Sequence, residues 1–275
     1  MATKVQWKQP DGNGNFEVIH HETSADVVRY SDTTVADVLD NTAILTASAF
    51  MESLLSAEDA FEARAILKVG RENFFDESGK RWSNTSSLLS SEQKKFGESS
   101  MYLNGSANLR QVTGITLGGK DFSMALWFYV PSSGTTSRFF CGGDSSTRFL
   151  TGSDSGTLTW FWAYSGTTVF NNTTTSAIPT GVWNHLELDY RNSDNKLFLF
   201  LNGEKADEQV VSSLATPLTM PIYLGKHPTN DNYNFTGYID EFIITEQLLH
   251  SADFTPPSAP YSFDSDTTVA LLHFE

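Results

Sequence analysis

Residues 121–130 read D-F-S-M-A-L-W-F-Y-V, and this alternation decides the fold class. Successive side chains of a strand point to opposite faces, so Phe122, Met124, Leu126, Phe128 and Val130 share one side and Ser123, Ala125, Trp127 and Tyr129 the other. The first row is wholly apolar, so the strand is buried on at least one face. Outward from it the pattern repeats. Residues 157–164 set Trp160, Trp162 and Tyr164 on one side. Residues 182–190 set Leu186, Leu188 and Tyr190 against His185, Glu187 and Asp189. Residues 197–201 run into Asn202-Gly203, a strong signal for a type I′ hairpin turn. Strand candidates follow at 222–224, 235–238 and 242–245. Many short strands separated by polar turns predict a mainly β sandwich or jelly roll.

The chain changes character near Gly70. Before it, aromatics are sparse and helix formers dominate. Residues 11–15 (D-G-N-G-N) are a turn, 16–19 a short strand candidate, and 33–39 and 43–55 carry helical patterning. Ile44, Ala47, Phe50, Met51, Leu54 and Leu55 recur at three and four residues and give one apolar face. A further helix is predicted over 60–68, with Ser56 as its cap signal and Gly70 closing it. These helices are too short and too few to build a core alone, so their apolar stripe needs a partner.

The 275 residues carry 18 Lys and Arg against 33 Asp and Glu, a net charge of −15. That disfavours a nucleic-acid backbone, which needs clustered cations, and an anionic membrane surface. Twenty Phe and six Trp suffice for a large core. The single cysteine, Cys141, rules out an internal disulfide and reads as a buried thiol. Residues 1–10 lack a signal-peptide core, and no apolar run reaches the length of a membrane span. Synthesis in a cytoplasm without membrane insertion is therefore expected.

Several segments in order resemble the concanavalin A-like, laminin-G-like jelly roll. They are F-F-D-E-S-G at 74–79, K-F-G-E-S-S-M-Y-L-N-G at 95–105, the 121–130 strand, W-N-H at 183–185, F-L-N-G at 200–203, F-T-G-Y-I-D-E at 235–241 and F-T-P-P-S-A-P at 254–260. The resemblance covers residues 73–275. Two stretches of the first part, 20–39 and 56–70, resemble attachment regions of tailed-phage fibre proteins. Together the resemblances imply a phage virion protein of tail fibre or appendage type. Its residues 1–70 would be a small, partly helical attachment and oligomerisation segment, and residues 71–275 a jelly roll. Partners implied are other virion proteins, a host-surface glycan and copies of the chain itself. The fibre context favours a trimer, although no long heptad array enforces one.

The sequence departs from the family in one place. The usual opening strand, an apolar run ending in His-Phe-Asp, belongs just before Phe74, and Arg71, Glu72 and Asn73 do not supply it. Residues 267–275, T-T-V-A-L-L-H-F-E, have that composition. An uncovered apolar edge invites aggregation, so strand 267–274 is expected to fill the vacant slot, in its own subunit or by exchange with a neighbour.

Candidate sites follow. Trp160, Trp162 and Tyr164 form an aromatic row on which sugar rings could stack, joined by Asn232 and Tyr233 from a polar loop. Core filling is the commoner use of such aromatics. Further loop contacts are Asp144, Arg148, Asn171, Asn172, Asn230 and Asp231. Asp76, Asp240 and Glu241 are candidate calcium ligands. Against that, Asp76 reads equally as a turn cap and Asp240 as a partner of backbone N–H groups. Glu187 and Asp189 share a strand face, as glycosidase carboxylates do. Related jelly-roll glycosidases present a third acid on that face, where this chain has Arg191, so the pair reads as solvated charge on an outer face. His185 is expected to pack or hydrogen-bond. No G-x-S-x-G, P-loop or zinc signature is present, and the expected function is non-enzymatic: glycan adhesion, or architectural decoration of capsid or tail.

Overall fold

The computed structural model describes residues 73–85, 87–132 and 136–274. The chain divides between Val69 and Gly70, and the described residues all belong to the second unit. The attachment segment 1–70, with its expected helices and short strand, lies outside the described residues.

The described strands are β1 (Asn73–Phe75), β2 (Arg81–Thr85), β3 (Leu88–Ser90), β4 (Ser100–Asn104), β5 (Asn108–Gln111), β6 (Ile115–Leu117), β7 (Phe122–Tyr129), β8 (Ser137–Gly143) and β9 (Arg148–Asp154). They continue as β10 (Thr157–Tyr164), β11 (Thr167–Ala177), β12 (Trp183–Arg191), β13 (Lys196–Leu201), β14 (Glu204–Val210), β15 (Leu218–Met220), β16 (Ile222–Leu224), β17 (Thr236–Thr245) and β18 (Thr268–Leu272). One sheet runs β1-β2-β5-β16-β8-β9-β10-β11 and the other β14-β13-β12-β7-β17-β4-β3, with β18 on β17 and a two-stranded β15-β6 piece beside them. Every pairing is antiparallel, and the result is the expected β sandwich.

The core lies between the sheets. Phe128 stacks on Phe139 at 4.1 Å, Trp82 meets Phe242 edge-on at 5.7 Å, and Leu103, Leu109, Leu186 and Leu199 fill the space around them. The hairpin at Asn202-Gly203 has positive φ at both residues, 55° and 82°, as a type I′ turn requires. The two segments expected at 235–238 and 242–245 are one strand, β17, broken by a bulge. Glu241 adopts φ 53°, and the pairing with β7 slips between Asp240 and Ile243. The extra residue turns both Asp240 and Glu241 toward the outer face, while Ile239 and Phe242 keep to the core.

The outer face of the β7–β12 sheet is not open to water. The segment 246–266 crosses it as a strap, with Tyr261 packed on Ala125, Ile243 and Leu271. Seven of the eight residues of β7 are buried for this reason. Phe242, Ile243 and Ile244 of β17 pair with Leu272, Leu271 and Ala270 of β18, on the edge that β4 occupies further up the strand. The turn after β1 is tied to the same strand: the Glu77 N–H donates to Leu271 O at 3.2 Å and Ser78 Oγ to Val269 O at 2.7 Å.

Candidate functional site

The aromatic row is core rather than platform. Trp160 and Trp162 are each 1% exposed, so neither ring face reaches a ligand. Their indole N–H groups donate to Asp207 (2.8 Å) and Ser213 (3.0 Å), as buried indoles must. Trp160 packs on Phe170 and Trp162 stacks on Phe149. Tyr164, at the end of β10, is 38% exposed. A period of two shows which residues share a face but not which face is buried.

The calcium candidates are each engaged by protein donors. Asp76 caps its own turn, accepting from the Lys80 N–H (2.8 Å) and Trp82 Nε1–H (2.8 Å), with Ser78 Oγ, which Val269 O also faces, 2.7 Å away. Asp240 accepts from the N–H groups of Lys95, Phe96 and Glu241. Burial pushes its carboxyl up to about 7, while the Lys95 and Phe96 N–H groups pull the other way. Glu241 bonds the Tyr261 N–H and His273 Nδ1. Each carboxylate oxygen that a calcium ion would need already has a donor.

Glu187 and Asp189 are not solvated. They are 1% and 0% exposed, because the strap lies over them. His250 of the strap places Nδ1 2.5 Å from Glu187 Oε1, and Ser123 Oγ bonds Asp189 Oδ1. Burial pushes Glu187 up to about 7. Burial and then the Glu187 charge push Asp189 well above the usual range, while Ser123 and the His250 backbone N–H pull the other way. His185, two residues earlier, bonds the Tyr261 hydroxyl at 2.6 Å, and burial holds its ring down to about 3, hence neutral. Cys141 is a buried thiol, as expected, pushed up to about 12 by burial.

Among the described residues, a recess opens on the outer face of the other sheet. In register across three strands stand Ser83 of β2, Arg110 of β5 and Tyr223 of β16, with Thr85 and Asn108 the next row. Leu109, Ile222 and Leu224 alternate inward to the core, which fixes the direction of the polar set. Gly105 and Ser106 form one wall; Lys226, Pro228, Asp231 and Asn234 form the other. The cleft holds about 530 Å³, within the usual range for small-ligand sites.

Its loop wall is preformed. The Phe235 N–H donates to Gly225 O at 2.9 Å and closes the neck of loop 225–235. Asn230 accepts from the Asn232 N–H and caps a short 3-10 turn, and Lys226 pairs with Asp231 at 2.8 Å. Arg110 lies 5.7 Å from the Tyr223 ring and, among the described residues, has no acidic partner. Asn234 Oδ1 is buried without a hydrogen bond. The cleft thus presents a ring, an uncompensated guanidinium, amides and hydroxyls. Its one described carboxylate, Asp231, is already paired. The polar loop expected to bind ligand reaches the cleft through Asp231 and Asn234, whereas Tyr233 turns away toward His227 and Arg138. Trp160, Trp162, Tyr164, Asn232 and Tyr233, the expected glycan contacts, do not line the cleft; of the further loop residues, Asp231 does. Ser83, Arg110 and Tyr223 were missed, although I-Y-L at 222–224 shows one amphipathic position between apolar ones.

The sequence model of one family, described as the concanavalin A-like lectin/glucanases superfamily, matches residues 98–253, more than half of the chain. No curated protein matches. Among solved structures, the fold is similar to domain 4 of a GH43 extracellular arabinanase from Geobacillus stearothermophilus, in complex with arabinotriose. There the TM-score is 0.51 and the identity 21%, covering 62% of this chain and 84% of that one. It is also similar to the enzymatically active domain of tailspike protein 2 of bacteriophage CBA120, with a TM-score of 0.53 and 12% identity, covering 73% of this chain and 34% of that one. A third is the binding domain of Paraclostridial Mosquitocidal Protein 1, with a TM-score of 0.51 and 17% identity, covering 62% and 45%. This chain therefore spans less than half of the tailspike and toxin chains.

Proposed function

We propose, for a chain that belongs to the concanavalin A-like lectin/glucanases superfamily, that it is a non-enzymatic adhesin whose glycan sits in the Tyr223–Arg110 cleft. The observation that carries this is the combination in one recess of an aromatic ring, a guanidinium with no acidic partner among the described residues, and amide and hydroxyl side chains. A sugar ring offers an apolar face to Tyr223, and its hydroxyls serve as acceptors from Arg110 and Asn108. The arabinotriose complex of the arabinanase domain supports a glycan as the ligand class. Hydrolysis needs two carboxylates flanking the scissile bond, and among the described residues the cleft is lined by one, Asp231, engaged by Lys226.

In this reading residues 1–70 attach the domain to a phage particle and bring copies of the chain together. Support for the virion setting comes from the fibre-like stretches 20–39 and 56–70. The competing reading, decoration with no ligand, predicts that Trp160, Trp162 and Tyr164 are all buried; Trp160 and Trp162 are, and Tyr164 is 38% exposed.

The test is a glycan array and host-cell binding with the full chain, Tyr223→Ala and Arg110→Gln. Each variant should bind about tenfold or more weakly with an unchanged melting temperature. Binding by the wild type that neither substitution reduces would remove the cleft from consideration. No binding by a folded wild type would favour decoration.

A further inference from the structure

We propose that Glu187, Asp189 and His250 form a site for a zinc-class divalent cation that clasps the strap 246–266 to β12. One donor atom from each residue lies within 4.8 Å of the others. The case rests on what else these groups lack. Glu187 and Asp189 are 1% and 0% exposed, and no Lys or Arg forms an ion pair with either among the described residues. Two carboxylates held together in a dry place need a neutralising partner.

The local donors carry no full positive charge: the His250 backbone N–H reaches Asp189, and the two carboxyls hydrogen-bond each other only through a shared proton. Ser123 has a single hydroxyl proton and two acceptors within reach, Asp189 Oδ1 and Gln247 O at 2.7 Å. His250 Nδ1 reaches Glu187 Oε1 only. Glu187 Oε2 and Asp189 Oδ2, both buried, meet no other hydrogen-bond donor among the described residues. A cation between them satisfies both orphan oxygens and removes the repulsion in one step.

The donor set selects the ion. Two carboxylate oxygens and an imidazole nitrogen suit zinc, with water in the fourth position, whereas calcium and magnesium favour oxygen alone. The imidazole of His250 is held in place by packing, its ring lying flat on Phe254 with centroids 3.6 Å apart and planes 6° apart. The His250 side chain is one-third exposed, which leaves a route in from solvent and room for the water. Because His250 belongs to the strap and both carboxylates to β12, the ion would join the two.

The experiment uses the full chain, stripped with chelator and exchanged into neutral buffer. Metal content after dialysis against Zn²⁺ and the melting temperature with Zn²⁺, Mn²⁺ or Ca²⁺ are measured for wild type, Glu187→Gln and His250→Ala. The expected result is one zinc per chain lost in both variants. A rise of roughly 5–10 °C in wild type at a hundredfold excess over Kd should be lost with it. No uptake and no shift in wild type would mean that a shared proton alone neutralises the pair, and would overturn the proposal. So would variants that take up zinc and gain stability as wild type does, which would place the ion on other histidines. Should Glu187→Gln fail to fold, His250→Ala decides alone, since it changes only a part-exposed strap residue.

Discussion

Metal-free protein should lose stability as the pH rises from 5 to 8, and Glu187 should carry much of that loss. Its carboxyl is pushed up to about 7 by burial, against an ordinary 4.5 that the unfolded chain restores. The folded state therefore holds a proton between those two values that the unfolded state has released. For a group raised on folding, the stabilisation is complete below the unfolded value and drains away as pH climbs through the folded one. The interval from 4.5 to about 7 corresponds to roughly 3 kcal/mol at 1.36 kcal/mol per pH unit. Asp240, pushed up by burial to about 7, acts in the same direction. The assay is urea unfolding at pH 5, 6, 7 and 8 in chelator, for wild type, Glu187→Gln and Asp240→Asn. Wild type should lose about 3 kcal/mol or more across the window, and Glu187→Gln should lose less by about that amount. A flat wild-type profile would refute the reasoning, and so would a slope that Glu187→Gln leaves unchanged.

Two further outcomes follow from packing. Leu272 of β18 is 4% exposed, so Leu272→Ala should lower unfolding free energy by about 2–5 kcal/mol, read by urea titration; a loss below about 1 kcal/mol would mean that β18 does not seat on β17 in solution. Gly203 has φ 82°, accepts from the Phe254 N–H at 2.9 Å, and a Cβ there would stand 2.0 Å from Phe254 O. Gly203→Ala should therefore cost about 1–2 kcal/mol in backbone strain and displace the strap, seen as faster proteolysis within 246–266; cleavage at the wild-type rate would show the strap to be independent of that turn.

The sandwich was legible because its strands carry their period in local sequence. The 121–130 alternation, the 182–190 alternation and the Asn202-Gly203 turn each stand where the chain shows them. What was hidden depends on contacts between distant segments. Alternation placed Glu187 and Asp189 on the outer face correctly, but the strap that buries that face has no period: Leu248, Leu249, His250, Phe254, Tyr261 and Phe263 are scattered among prolines and polar residues. The bulge at Glu241 comes from a residue with no turn preference of its own. The cleft escaped notice because Ser83, Arg110 and Tyr223 meet only when β2, β5 and β16 pair, and each alone is an ordinary outward-facing residue.

The pairing of β18 sets an order of events in folding. Ser78 and Val269 bond across 191 residues, and such non-local closure is slow, since chain entropy is lost before the contact rewards it. Until residues 268–272 dock, the lower half of β17 has one free edge, flanked by Phe242, Ile243 and Ile244. A neighbouring copy's β18 meets the same template with the same register. At high concentration, refolding then becomes a competition between self-closure and exchange. Slow dilution should yield monomeric closure of this sheet, and rapid concentration of unfolded chains should yield strand-exchanged species.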